Sequence, residues 1–192
     1  MAETGLRERS KARRRAAITR AAYELFAERG YDATTVADIA GAAEVSPRTI
    51  AMYFPAKHDI AMSRVDDAVA SLTAAVDGRA PGETVTGVLR RWLLATQTGP
   101  EDLEQRRLAR RMFAANPQLA ALRTARLAEV MRGGAAVIAA DTNREPGAIG
   151  PRLAAAAASA MIAEILDTEP GVDREEAIAA ATRFIEAGIA AL

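Results

Sequence analysis

Residues 34 to 58 read Thr34-Thr35-Val36-Ala37-Asp38-Ile39-Ala40-Gly41-Ala42-Ala43-Glu44-Val45-Ser46-Pro47-Arg48-Thr49-Ile50-Ala51-Met52-Tyr53-Phe54-Pro55-Ala56-Lys57-His58, a pattern of two short helices with a turn between them. The Thr35 hydroxyl can cover the free N–H groups of a first helix, Val36 to about Ala43, whose apolar Val36, Ile39 and Ala40 recur at helical spacing. Around Glu44 that pattern breaks. Ser46 then caps a second helix, with Pro47 in its first turn, where a missing N–H costs nothing. Ile50 and Phe54 turn inward, so Pro47, Arg48, Thr49, Met52 and Tyr53 share the outer surface until Pro55 stops the helix. A helix presenting Arg, Thr and Tyr near its N-terminus suits a DNA major groove. The motif, about residues 35 to 54, reads as a helix-turn-helix.

Upstream, Ile18, Ala22, Leu25 and Phe26 form an apolar stripe on a helix from about Ser10 to Arg29, which Gly30 closes. Three helices in this order, with a fourth opening at Lys57, resemble the N-terminal DNA-binding domain of the TetR family of one-component transcriptional regulators. The resemblance is carried by Ala22-Tyr23-Glu24-Leu25-Phe26, Gly30-Tyr31, Ala33-Thr34-Thr35-Val36, Ile39-Ala40, Val45-Ser46-Pro47-Arg48-Thr49-Ile50 and Tyr53-Phe54-Pro55-Ala56-Lys57. It covers about residues 11 to 60; the remainder is similar in helical character and length alone.

The resemblance implies roles for these positions. Thr34 or Thr35, at the positive end of the second helix, would meet phosphate. Arg48 and Thr49, with Pro47, would touch bases, Arg48 being suited to a bidentate contact to guanine, and Ser46 would lie at the DNA beside them. Tyr53 would lie against the backbone or a thymine methyl, and Lys57 would pair with phosphate. Many members carry an aromatic or a second polar residue where this chain has Ala51 and Met52, so one common phosphate contact is absent and Met52 is left to meet a thymine methyl. His58 stands where the family often has an acid and carries no functional expectation.

Charge is distributed in keeping with a DNA-binding head. Residues 1 to 58 hold ten Lys+Arg against seven Asp+Glu, or +3, and residues 59 to 192 hold fifteen against eighteen, or −3. The basic excess gathers in Arg7, Arg9, Lys11, Arg13, Arg14 and Arg15, as an unstructured arm leading into the first helix and able to follow a minor groove or phosphates.

With 192 residues, half of them hydrophobic, the chain is long enough for a small domain plus a larger one, each with a core. Residues 1–57 are read as the DNA-binding domain and 58–192 as a helical domain for effector binding and dimerisation. The absence of cysteine removes disulfides and thiolate metal sites. No signal peptide or run of about 18 consecutive apolar residues is present, so no membrane association is expected and the location is read as the bacterial cytoplasm, on DNA.

Beyond residue 57 the pattern is helix after helix, for an all-α fold of about nine helices. The fourth helix runs to about Val76, before breaks at Asp77-Gly78 and Pro81-Gly82. A fifth spans about Gly82 to Gln97, a sixth begins near Glu101, and Asn116-Pro117 opens a seventh that reaches about Ala140, with Gly133-Gly134 inside it as a kink or a close backbone approach. The eighth, Ile149 to Leu166, and the ninth, Asp173 to Ala191, are separated by Glu169-Pro170-Gly171. Both are rich in small residues, from Ala154 to Ala158 on one and Ala177, Ala180, Ala181, Ala187 and Gly188 on the other. In the family the equivalent pair packs against its copy as a four-helix bundle, which implies a homodimer through about 149–166 and 173–191. Two-fold symmetry would call for a roughly palindromic double-stranded DNA operator with half-sites about 34 Å apart or a multiple of it.

Trp92, Met112, Phe113, Met131 and Met161 are the large or adaptable apolar residues expected to line a ligand pocket in the second domain. The run Gln105-Arg106-Arg107-Leu108-Ala109-Arg110-Arg111 sets like charges four apart, which Glu101, Asp102 and Glu104 or an anionic effector would offset. A sub-group of the family with an Arg-rich sixth helix followed by Asn-Pro-x-Leu, here Asn116-Pro117-Gln118-Leu119, is similar, and some of its members are associated with acyl-CoA-type ligands.

Enzyme activity is not expected: His58 is the single histidine, no cysteine can act as nucleophile, no glycine-rich phosphate loop occurs, and neither cofactor nor metal is implied. The expected function is a homodimeric transcriptional repressor released from DNA by a small-molecule effector, hydrophobic or acyl-type, with the fourth helix carrying the change to the head. A helical small-molecule-binding or scaffold protein without DNA binding, and an activator of the same fold, are the alternatives.

Overall fold

The computed structural model describes residues 2–96, 100–145, 147–166 and 173–191. Among them are nine helices: α1 (Ala2–Arg29), α2 (Val36–Ala42), α3 (Pro47–Tyr53), α4 (Lys57–Asp77), α5 (Val85–Ala95), α6 (Pro100–Ala115), α7 (Pro117–Asp141), α8 (Ile149–Leu166) and α9 (Arg174–Ala190).

The largest departure from the sequence reading is at the start. α1 begins at Ala2 and not near Ser10, so Arg7 to Arg15 belong to a helix instead of an unstructured arm. Ala, Arg, Lys and Glu are strong helix formers, and nothing between Gly5 and Gly30 breaks their run. Gly30, at φ 86°, then turns the chain out of the helix in a conformation that costs glycine little.

α5 is shorter than expected because Gly82, at φ 81°, belongs to a turn and Thr84 is the cap, its Oγ1 accepting the Gly87 N–H at 3.1 Å. Its expected end at Gln97 and the break at Glu169-Pro170-Gly171 lie outside the described residues. Asp173 caps α9 by accepting the N–H groups of Glu175 and Glu176. Gly133 and Gly134 sit inside a continuous α7; a Cβ on Gly134 would lie in ordinary contact, 3.8 Å from that of Ala155 on α8, and one on Gly133 would meet open space.

The chain divides into two compact units. Unit 1 comprises Met1–Asp66 and Pro100–Arg123. Its core joins Ile18, Tyr23 and Phe26 of α1 to Ile39, Ile50, Phe54 and Ile60, and α6 and the first turn of α7 close it with Leu108, Met112, Phe113 and Leu119. Asp102 on α6 pairs with Arg64 at 2.7 Å and with Arg106 at 2.7 Å, while Glu104 pairs with Arg20 at 3.1 Å. Asp102 therefore offsets the Arg106 charge, while Glu104 is engaged with α1.

Unit 2 comprises Asp67–Gly99 and Thr124–Leu192. One part of its core gathers Trp92, Leu93, Ile165 and Ile178; another gathers Val85, Ala135, Ile138 and Ala155.

Candidate DNA-reading head

Each helix of the motif is started by a side chain that sequence logic assigns to the task. Thr35 Oγ1 accepts the Asp38 N–H at 3.1 Å, and Asp38 Oδ2 accepts the Thr35 N–H at 2.8 Å, which completes a capping box at α2. These bonds hold the Asp38 carboxyl below its ordinary value, the Thr35 hydroxyl contributing most and the Thr35 backbone N–H next. A depressed folded-state pKa stabilises above the unfolded value and is lost as pH falls through the folded one. The start of α2 is thus expected to loosen as the pH drops from about 3.8 downward, and amide exchange at Asp38 and Ile39 checks this against Asp38→Asn, which should lack the acid transition.

The turn after α2 closes with paired bonds, Val45 N–H to the Ala40 carbonyl at 2.9 Å and Glu44 N–H to the Gly41 carbonyl at 3.2 Å. Glu44 occupies the left-handed region at φ 53°, where glycine is the usual choice. Ser46 Oγ then accepts the Thr49 N–H at 3.0 Å and lies 2.8 Å from the Thr49 hydroxyl, so α3 starts at Pro47 with its cap in place.

Ile50 and Phe54 anchor α3 in the unit 1 core. With that face fixed, Pro47, Arg48 and Met52 stand in solvent, Met52 with 79% of its surface exposed, while Thr49 and Tyr53 are half-buried at the edges. Arg15 stacks on Phe54 with its guanidinium carbon 5.2 Å from the ring centre and ties α1 to the end of α3; the preceding Arg14 is exposed.

Two expected phosphate contacts are placed differently. Thr34 is 1% exposed, and its hydroxyl donates to the Gly30 carbonyl at 2.8 Å, so its side chain is enclosed in the turn and not presented at the surface. Thr35, one step further along, is the one at the surface. Lys57 donates its ammonium to the carbonyls of Tyr31 at 2.8 Å and Thr34 at 2.9 Å and lies over the Tyr31 ring at 4.1 Å. Its first role is to brace the loop before α2, because a cation so engaged has one N–H left.

The expected pocket residues do not come together. Met112 is fully buried and Phe113 nearly so, both in the unit 1 core against α1, which corrects their reading as cavity walls. The spacing that marked them as an apolar face was right, but sequence does not say what covers a face. In unit 2, Trp92 is buried with its indole N–H on Ser71 Oγ at 3.0 Å, and Met131 is half-buried on α7. Met161 alone of the five lines the apolar recess formed with Leu89, Leu93, Ile162, Ile165 and Ile185. Thr86 and Thr182 also border it, with their hydroxyls bonded to Glu186 at 3.3 Å and to the Ile178 carbonyl at 2.7 Å.

The sequence reading missed Asn116 and Tyr31 as parts of the head. An Asn before Pro reads as a helix start, and the partners of its side chain lie 85 and 90 residues away.

Two capped short helices that hold an arginine outward from a helical core define the class of motif: a helix-turn-helix. Residues 18–62 match the family model of bacterial regulatory proteins, tetR family. The chain is also similar to the HTH-type transcriptional regulator TcmR of Streptomyces glaucescens, 40% identical over 90 residues, a match that spans 45% of this chain and 40% of that protein. The N-terminal segment, residues 18–62, is thus similar to the tetR family of bacterial regulatory proteins, and the chain spans about 40% of the length of the relative it matches.

Solved structures extend the likeness in fold beyond that domain. GusR of Salmonella enterica aligns with 92% of this chain and 95% of its own, at 19% identity and a TM-score of 0.59. NalD, the secondary repressor of the MexAB-OprM multidrug efflux pump in Pseudomonas aeruginosa, aligns with 94% and 97%, at 18% identity and a TM-score of 0.54. A protein of Saccharomonospora viridis in complex with choline aligns with 92% and 96%, at 21% identity and a TM-score of 0.52.

Proposed function

We propose that the chain works as a homodimeric repressor in the bacterial cytoplasm, bound to a roughly palindromic operator and released from it by a small apolar effector. The observation that carries this reading is the face of α3. Met52, a large apolar side chain, stands 79% exposed beside Arg48, and neither contributes to the core that α3 helps to form. A base edge and a thymine methyl are the surfaces these two side chains suit.

Pairing of two subunits is supported by α8 and α9. α8 is long and apolar enough by length and composition to cross a membrane, yet only 22% of it is buried. Its exposed positions include Ile149, Leu153, Ala156, Ala160 and Ala163, spaced four and three apart on one stripe, with Arg152 and Glu164 beside it. α9 exposes Ala180, Phe184 and Ala187 at the same spacing. Such stripes fit the seam of a helix bundle between two copies.

The unit 2 recess beside Met161 is the proposed effector site; at about 20 Å³ it must open to admit a ligand, and its apolar wall favours an uncharged molecule. The choline complex of the Saccharomonospora viridis protein supports small-molecule binding in this fold. α4 would carry the effector's influence to the head, and altered spacing of the two heads would weaken binding.

Selection from a random-sequence duplex pool tests the reading. The full chain is expected to enrich a palindromic sequence with half-sites about one or two helical turns apart. Enrichment of no sequence would favour a helical ligand-binding protein without DNA affinity.

A further inference from the structure

Asn116 joins α6 to α7 and is 2% exposed. Its Oδ1 accepts the Tyr31 N–H at 2.6 Å, and its Nδ2 donates to the carbonyls of Phe26 at 2.8 Å and Met112 at 2.7 Å. Two of these groups are the Phe26 carbonyl in the last turn of α1, which also accepts the Gly30 N–H at 3.2 Å, and the Tyr31 N–H two residues past the helix. A side chain from far along the sequence therefore serves as the C-terminal cap of α1.

Tyr31 passes this restraint on. Its ring packs on Phe26 with centroids 5.1 Å apart, and its carbonyl accepts from Lys57 at 2.8 Å. Lys57 also holds the Thr34 carbonyl at 2.9 Å, and Thr34 bonds back to Gly30. The next residue is Thr35, which caps α2. A continuous set of bonds thus leads from Asn116, outside the family-matched segment 18–62, to the first turn of the helix-turn-helix.

We propose that Asn116 is a positioning residue for operator binding: it fixes the loop 30–35 and, through it, the tilt at which α2 and α3 meet DNA. The proposal rests on the DNA-binding reading above. Bidentate base contacts tolerate little misplacement, whereas sequence-independent phosphate contacts tolerate much more. Loss of the Asn116 amide should therefore cost recognition of sequence more than attraction to DNA.

The test compares Asn116→Ala with the wild-type full chain on two probes, the duplex selected by the wild type and a scrambled duplex of equal length, at a temperature where circular dichroism shows both proteins folded. Affinity for the selected duplex is expected to fall about tenfold, with the scrambled duplex unchanged. Without DNA, amide exchange at Asp38 and Ile39 should quicken while the middle of α1 keeps its wild-type rates. Equal affinity for the selected duplex, an equal loss on both duplexes, or faster exchange at Tyr31 alone would overturn the proposal. Should the alanine variant not fold, Asn116→Asp, which keeps the acceptor for Tyr31 and removes both donors, is judged by the same criteria with a smaller loss. A wild type that selects no duplex would remove the DNA reading itself, and the exchange measurement would still decide whether Asn116 positions α2.

Discussion

Arg48→Ala is expected to lower affinity for the selected operator by about 1–3 kcal/mol per half-site, and so by up to about twice that for a dimer on a palindrome. Arg48 is exposed near the start of α3 and makes no ion pair among the described residues, so its guanidinium is available to a base edge. The backbone that carries it is fixed from both sides, by the Ser46 cap ahead and by Ile50 behind. Removal of the side chain should leave folding nearly unchanged, within about 0.5 kcal/mol for an exposed position of this kind. The diagnostic is the salt dependence. A base-reading arginine contributes little to the slope of log affinity against log salt, whereas loss of a phosphate contact lowers that slope by about one. Titration at several salt concentrations should give parallel lines for Arg48→Ala and wild type, displaced in affinity, and should show relaxed preference at one base pair in each half-site. Converging lines would reassign Arg48 to the backbone, and unchanged affinity would remove it from the interface.

The parts of this head that were legible in the sequence are those decided within one turn of helix. Thr35 and Ser46 act on N–H groups three residues on, and the inward positions of Ile50 and Phe54 follow from spacing alone. What escaped was decided by distant packing. Thr34 and Thr35 are the same residue type side by side, yet one is enclosed by the carbonyls of Gly30 and Leu25 and the other faces solvent. Only the path of the loop after Gly30 separates them. Met112 and Phe113 displayed an apolar face but not the identity of its cover, which is α1. Asn116 offered an ordinary capping signal and hid its partners at Phe26 and Tyr31. At the N-terminus, a run of like charges suggested a solvated arm, while helix propensity summed over the same residues gave α1 its first turns.

On the proposed pairing through α8 and α9, introducing Glu at both Leu153 and Phe184 should yield single subunits and abolish tight operator binding with Arg48 intact. Both side chains are 61% exposed in the isolated chain, on α8 and α9, so neither is needed to complete the subunit core. In a two-fold interface every substitution acts twice. Each buried Phe or Leu removed forfeits about 1.5–3 kcal/mol, and each carboxylate left unpaired at the seam adds a desolvation cost. Together these exceed what a standard interface holds in reserve over its costs of association. Light scattering should therefore move from twice the 20.3 kDa chain mass to the chain mass itself, with helical circular dichroism retained at the assay temperature. A single head retains its base contacts but loses the second half-site, which otherwise binds as an intramolecular event at high effective concentration, so affinity falls by about 100-fold or more. If the doubly substituted protein keeps the mass of a dimer, the seam lies elsewhere. If it becomes a single subunit yet binds the operator as tightly as before, recognition never required two heads, and a palindromic target loses its physical basis.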